Sequence, residues 1–245
     1  CKTFRIRGHE EASGVKYVPK KLLDDWSLKD PLLNFEKFLI KNEFLNDTEI
    51  EELKNSFKKE INTGVKNAFA EQEIEANQTY ELDSVYKEYT CVVTEPASDT
   101  LEMRFVDAIS SGLEEGMQQH KNLIFMGQDI AEYGGVFKIS EGFLEKFGKD
   151  RVRNTPICES IILSMALGLS VKGYKSIVEM QFSDFVSSGF NAVVNNLAKS
   201  YYRWGQCADV VVRMPCGGGV GAGPFHSQTN EAWFTHTPGL KVLYP

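Results

Sequence analysis

From residue 101 onward one pattern recurs: a short apolar run, a turn, then a longer stretch with helical periodicity. The runs Asn122–Gly127, Arg151–Thr155, Ser176–Met180, Asp209–Arg213 and Leu240–Tyr244 have the length of strands rather than of buried helices. Between them, Met103–Gln119, Gly142–Phe147, Ser160–Gly173 and Ser187–Tyr202 read as helices. Strands that alternate with helices build βαβ units, and near-continuous apolar strands belong to a sheet covered on both faces. The expected fold class is therefore α/β, a mostly parallel sheet with helices on both faces. In such sheets ligands bind beyond the carboxyl ends of the strands.

Residues 1–100 are unlike this. They carry 14 Lys+Arg against 20 Asp+Glu, whereas residues 101–245 carry 13 against 14. Lys2–Arg7 alternates polar and apolar residues and reads as a strand that ends at Gly8, followed by an acidic loop from His9 to Gly14. Pro31–Ile40 reads as a helix with Asp30 at its N-cap and Pro31 at its first position. A longer helix opens at Asn46-Asp47-Thr48-Glu49 and runs to about Glu71. Its stripe of Ile50, Leu53, Phe57, Ile61 and Val65 has amphipathic spacing. Glu73–Asp99 is acidic, rich in Gln and Asn and interrupted by Pro96, with too little apolar surface to offset the entropy of ordering it. The expected organisation is a helical part at 1–72, a linker at 73–100 and the α/β domain at 101–245.

Composition narrows the function classes. A net charge of −7 opposes binding to a nucleic-acid backbone. No run reaches the roughly 18 apolar residues of a spanning helix, and no N-terminal signal pattern is present, so a membrane partner is not expected. The five cysteines (1, 91, 158, 207 and 216) form no C-x-x-C pair, and the expectation is reduced thiols in the cytoplasm.

Four stretches carry candidate chemistry. Glu159 opens the uncharged helix after a strand end. Either it is a helix N-terminal carboxylate stabilised by the macrodipole, or it has a functional partner, since burying it unpaired costs several kcal/mol. Phe182 and Phe185 follow a strand and suit either core packing or stacking on a heteroaromatic ring. Cys216–Gly223 is glycine-rich, but Pro215 and Pro224 flank it and no helix starts there, which rejects a dinucleotide fingerprint. That loop presents His226, either a plain surface histidine or a general acid or base beside a cleft. Arg5, Arg7 and His9 cluster near the start. As strand neighbours, Arg5 and Arg7 would share one face suited to phosphate, or belong to a solvated edge.

Taken together, these stretches resemble one family. Residues 101–245 are similar to the first half of the β subunit of thiamine-diphosphate-dependent 2-oxo acid dehydrogenases. The similarity rests on Tyr133-Gly134-Gly135-Val136-Phe137, Gly148-Lys149-Asp150-Arg151-Val152, Asn154-Thr155-Pro156, Glu179-Met180-Gln181-Phe182, Phe225-His226-Ser227-Gln228 and Pro238-Gly239-Leu240-Lys241-Val242. Residues 1 to about 90 resemble the end of the α subunit, through Phe4-Arg5-Ile6-Arg7-Gly8-His9 and the Pro31 and Asp47 helices. That order suggests a stretch of a fused α–β chain, incomplete and inactive alone.

The resemblance implies thiamine diphosphate, with Mg2+, as cofactor. Glu159 matches the glutamate that hydrogen-bonds the coenzyme's pyrimidine and favours its imino tautomer. Phe185 matches the aromatic that stacks on that ring. His226 matches a channel histidine implicated in acyl transfer to a lipoyl arm, and Arg5 and His9 match residues that hold the diphosphate. The implied partners are a 2-oxo acid substrate, a lipoyl-bearing acyltransferase core, and a second copy or missing α and β parts that complete the site. Asn154–Glu159 and Tyr201-Tyr202-Arg203 look nearer to branched-chain (2-oxoisovalerate) enzymes than to pyruvate dehydrogenases.

There are departures. The metal-ligating Gly-Asp-Gly…Asn motif is absent, so no metal ligand is assigned in this chain. Gln128 stands where the family often has Glu, which removes a carboxylate from the implied cofactor network, and Ile161 and Ser164 stand where small glycines are usual, which questions the close packing of that helix. A transketolase-like enzyme and a non-catalytic assembly module remain the alternative readings.

Overall fold

A computed structural model describes residues 2–90, 93, 95 and 98–245. Pro96 of the expected linker and the thiols of Cys1 and Cys91 fall outside the described residues. The chain divides into two compact units, one up to Glu75 and one from Ala76 to Pro245.

The first unit holds α1 (Lys20–Ser27), α2 (Pro31–Lys41) and α3 (Asp47–Ala70). The Asp30 carboxylate accepts from the backbone N–H groups of Leu32 and Leu33, satisfying two orphan donors at the start of α2. At α3 a reciprocal capping box forms: Asn46 Oδ1 accepts from Glu49 N–H at 3.0 Å, and the Glu49 carboxylate accepts from Asn46 N–H at 2.8 Å. The apolar stripe of α3 is covered only at Ile50; Leu53, Phe57, Ile61 and Val65 are exposed. Twenty-four residues make α3 about 36 Å long, roughly twice the length of the eleven-residue α2 that Glu36 ties to it through Lys54.

The strand expected at Lys2–Arg7 does not form. Arg5 C=O instead accepts from Gly8 N–H in a turn, because no neighbouring strand offers a ladder. Gly8 has φ +76°, and a Cβ there would fall 2.8 Å from the Gly14 carbonyl oxygen, so the turn requires glycine.

In the second unit four strands, β1 (Leu123–Gly127), β2 (Val152–Asn154), β3 (Lys175–Glu179) and β4 (Val210–Arg213), form one parallel sheet in the order β2-β1-β3-β4. Every residue of β1 is buried. Leu123 and Phe125 join Ile177 of β3 in a core under α5 (Phe105–Gln119), with Met117 fully buried. Met126 and Val178 pack on the opposite face against Ile162, Leu163 and Ala166 of α7 (Glu159–Val171). Helices therefore cover both faces, as the alternation of elements implies. The Arg151 guanidinium caps the carboxyl end of α5, donating to the carbonyls of Met117 (2.6 Å) and His120 (2.7 Å).

Three expectations are corrected here. Gln78–Val85, inside the stretch read as a linker, is a helix (α4), with Asn77 Oδ1 accepting from Tyr80 N–H and Tyr202 Oη donating to Glu81 at 2.7 Å. The helix expected over Ser187–Tyr202 is broken into a 3₁₀ segment (Ser183–Gly189), a π-helical segment (Ala192–Leu197) and α8 (Ser200–Trp204). Gly189, at the end of the 3₁₀ segment, lies so close to α7 that a Cβ would overlap Leu163 Cδ1. Leu240–Tyr244 is not a strand. It lines a cavity of about 410 Å³ with Val210 and Val212 of β4 instead of pairing with that edge.

The other helical segments described in this unit are α6 (Phe143–Phe147), in the stretch expected to be helical, the 3₁₀ turn Gly218–Val220 and the short α9 (Glu231–Thr235).

Candidate functional site

The strand register places Asn154, Gly127, Glu179 and Arg213 side by side at the carboxyl ends of β2, β1, β3 and β4. The chain leaves this row through four connections, and all the candidates of the second unit lie on them.

Glu159 is the first residue of α7 and is half-buried. Its side chain is not spent on capping its own helix. Gln128 Nε2, from the connection after β1, donates to Oε1 at 3.0 Å, and Ser188 Oγ, from the 3₁₀ segment after β3, lies 3.2 Å from Oε2 and also 3.2 Å from the Phe185 carbonyl, which share its single proton. The carboxylate thus meets one neutral donor of its own and a second that it shares with the Phe185 carbonyl. Ile161 and Ser164 do not disturb α7: Ile161 points to the exterior, and Ser164 Oγ donates to the Ser160 carbonyl at 2.7 Å. The close packing questioned from the sequence is achieved by Gly189 from the other side.

Phe185 lies on the same 3₁₀ segment as Ser188. His226 meets it edge-on, with ring centroids 5.3 Å apart, and meets Phe182 at 5.0 Å. Phe137 completes the cluster against Phe182 at 6.0 Å. These rings all meet edge to face, the preferred geometry of aromatic pairs.

The loop carrying His226 is anchored from beneath. Asp184 is buried, and its Oδ1 accepts from Gln228 Nε2 at 2.8 Å and from the Gln228 N–H at 3.4 Å. Ser183 Oγ donates to the Gln228 carbonyl, and Asn230 Nδ2 to the Ser183 carbonyl. Oδ2 of Asp184 and Oγ1 of Thr155 are buried without a partner among the described residues.

Below the row sits a buried ion pair. Arg213 Nη1 donates to Glu179 Oε2 at 2.6 Å, with the glutamate side chain 2 % exposed. Burial pushes the Glu179 carboxyl above the ordinary carboxylate range, while the Arg213 charge draws it back in part. Gly135 lies over this pair; a Cβ there would be 3.5 Å from Glu179 Oε1.

Arg5 and His9 belong to the first unit, where both are exposed, and Arg7 there pairs with Glu11 at 2.6 Å. The structure thus brings Phe185 and His226 together and joins Glu159 to the same 3₁₀ segment. Gln128 stood out in the sequence only as a departure from the family's glutamate, and Ser188, Asp184 and Gln228 were given no role of their own. Three of them are neutral and signal nothing by charge, and Asp184 is hidden between the aromatics.

The residues fit one part of thiamine diphosphate. A flat ring with a basic nitrogen suits a carboxylate beside an aromatic face, and the partnerless Thr155 hydroxyl, four residues before Glu159, leaves further polar capacity. A diphosphate-bound metal is not matched, because among the described residues no group of three or more His, Cys, Asp or Glu could hold one.

Comparison with known proteins points to a family. The family profile described as "Transketolase, pyrimidine binding domain" matches residues 102–245, and the one described as "Dehydrogenase E1 component" matches residues 1–77. The chain is 38% identical over 160 residues to the mitochondrial 2-oxoisovalerate dehydrogenase subunit beta of Dictyostelium discoideum, covering 64% of this chain and 43% of that protein. It is 40% identical over 147 residues to the 2-oxoisovalerate dehydrogenase subunit beta of Bacillus subtilis (58% and 44%). It is 36% identical over 155 residues to the pyruvate dehydrogenase E1 component subunit beta of Leifsonia xyli subsp. xyli (62% and 46%). The matches span less than half the length of these relatives. With a parallel sheet covered on both faces and a profile match over more than half its length, the chain belongs to the transketolase-type pyrimidine-binding domain family.

Proposed function

We propose that the chain is part of the decarboxylating component of a 2-oxo acid dehydrogenase and contributes the pyrimidine side of a thiamine diphosphate site. One observation carries this reading: the Glu159 carboxylate at the start of α7, at the carboxyl rim of a parallel sheet, accepts from Gln128 and meets Ser188 of the 3₁₀ segment that presents Phe185 to His226. Glu159 holds a proton at the ring nitrogen, and Phe185 offers a face to the ring. His226 presents an imidazole to the acyl acceptor. Bound there, thiamine diphosphate supplies the electron sink for loss of CO2 from a 2-oxo acid. Arg5 and His9 are assigned to a diphosphate group, and Mg2+ is assigned to ligands outside this chain.

A branched-chain 2-oxo acid is the preferred substrate, with pyruvate second; two of the relatives described above carry the 2-oxoisovalerate name. A lipoyl-bearing acyltransferase is the acyl acceptor. The free thiols of Cys158, Cys207 and Cys216 support a reducing compartment such as the cytoplasm. The test is CO2 release by the full chain combined with an α-type E1 subunit. Release from 3-methyl-2-oxobutanoate above that from pyruvate, dependent on thiamine diphosphate and lost in E159Q, is expected. Ketol transfer between sugar phosphates without CO2 release would overturn the reading in favour of a transketolase-type enzyme.

A further inference from the structure

We infer that Asp129 is a positioning residue: held in a left-handed backbone conformation just beyond β1, it ties the connection after β1 to the segment that presents Phe182 and Phe185. The purpose of the tie rests on the coenzyme reading above; the tie itself does not. Among the described residues of the second unit, Asp129 and Lys138 are the non-glycine residues with positive φ, both at +56°, and both lie in the connection after β1. A side chain is disfavoured in that conformation, which persists only where the surroundings over-determine it, most often at functional sites.

The surroundings of Asp129 do so. Gln128 before it is 6 % exposed and Ile130 after it is fully buried, while Asp129 itself is exposed. Its carbonyl accepts from Gly135 N–H at 2.9 Å, and the Ile130 carbonyl accepts from Ser140 Oγ at 2.7 Å. Glycine would adopt this backbone freely, so the turn alone does not call for aspartate. What aspartate adds is a side-chain acceptor: Oδ2 accepts from Gln181 Nε2 at 3.2 Å, across 52 residues of chain. Gln181 immediately precedes Phe182, whose ring meets His226 at 5.0 Å and Phe185 at 6.0 Å. The other strained residue marks a second tie. Phe137, next to Lys138, meets Phe182 edge-on at 6.0 Å, and Lys138 Nζ donates to the Tyr133 carbonyl within the same connection. The connection after β1 thus grips the aromatic segment at Gln181 and at Phe182. A hydrogen bond this exposed adds little to global stability, so its effect is local, on where the Phe182 ring stands.

The test reads that ring through the His226 imidazole, whose ring-proton NMR resonances carry the ring currents of Phe182 and Phe185. They are assigned in the full chain by their loss in H226A. D129G frees the backbone and removes the acceptor, whereas D129N keeps an acceptor oxygen and tolerates the left-handed conformation. D129G is expected to move the His226 resonances toward their unfolded positions while the chain melts within a few degrees of wild type; D129N is expected to leave them in place. Q181M removes the donor without touching residue 129 and should give the same displacement, with nothing further in D129G/Q181M. Unmoved resonances in D129G and Q181M would overturn the inference, as would displacements that add in the double variant; Q181M decides alone if D129G fails to fold. Thiamine diphosphate uptake by the chain combined with an α-type E1 subunit, measured separately by calorimetry, keeps the two readings apart. Displaced resonances without uptake by wild type refute the coenzyme reading and leave the Asp129 tie standing. Uptake with unmoved resonances refutes the tie alone.

Discussion

The His226 imidazole stands edge-on to the Phe185 ring, centroids 5.3 Å apart and planes at 86°, although 41 residues separate them in the chain. This contact exists because the loop after β4 is anchored two residues further on, where Gln228 donates to the buried Asp184 next to Phe185. An aromatic suited to hold a ring and a side chain suited to move a proton thus share one mounting.

For H226A, the lipoyl-dependent step in the assembled enzyme is expected to fall much further than decarboxylation measured with an artificial electron acceptor. The imidazole lies at the aromatic cluster, and among the described residues no hydrogen bond or ion pair joins it to Glu159. Equal losses in the two assays would assign His226 to binding.

Removing the proton-holding group is a sharper test. E159Q keeps the shape and an oxygen that accepts from Ser188, so melting of the chain is expected to stay within a few degrees of wild type. Turnover of the assembled enzyme should drop by about 10²- to 10⁴-fold, the usual contribution of a positioned acid or base. Near-wild-type rates would refute the role given to Glu159.

Asp184 is expected to be structural first. D184A leaves the Gln228 N–H and Nε2 without their acceptor, at a cost of about 1–3 kcal/mol in urea unfolding. Trp204 and Trp233 report on this unit when Trp26 is replaced by Phe. The variant should also loosen the His226 loop, seen as faster proteolysis between Gly217 and Phe225. Unchanged stability and unchanged cleavage would show that the loop is held by other contacts.

The Glu179–Arg213 pair has a pH signature. Burial raises the folded pKa of Glu179 above its unfolded value, so the folded state takes up the proton first. Its stabilising contribution is present below the unfolded value and is lost as pH rises through the folded one. R213M removes the compensating charge and raises that folded value further. Expected at neutral pH is a loss of about 3–5 kcal/mol, the cost of leaving a buried charge unpaired, shrinking as the solution is acidified. A deficit that is constant from pH 8 to pH 4.5 would mean that Glu179 is not the group responsible.

The parts that follow from local rules were legible. Asp30 and the Asn46–Glu49 capping box mark helix starts because side chain and backbone partner lie within three residues of each other. The four strands were legible because each carries its own apolar run between turns. Alternation at Lys2–Arg7, and the apolar run at Leu240–Tyr244, had no such outcome. Such patterns say which residues a strand would bury, not whether a neighbour exists to share its hydrogen bonds. The α4 helix was missed because it has no apolar stripe of its own, and its hold on the second unit comes from Tyr202, 121 residues away.

In the candidate site, Glu159 was visible as a lone charge on an apolar helix, and His226 as a polar tip on a glycine-rich loop. Gln128 was visible as a departure from the family's glutamate, whereas a neutral donor such as Ser188 looks the same in any loop. What the amino-acid order determined by itself was the alternation of elements, hence a parallel sheet covered on both faces, and which residue types reach its carboxyl rim. Only the tertiary structure decided which of them meet. Neutral hydrogen bonds to a carboxylate, or a ring edge against another ring, depend on ångström-scale approach between segments far apart in the chain. That approach is set by packing, here the close contact of Gly189 with Leu163, and not by any local preference.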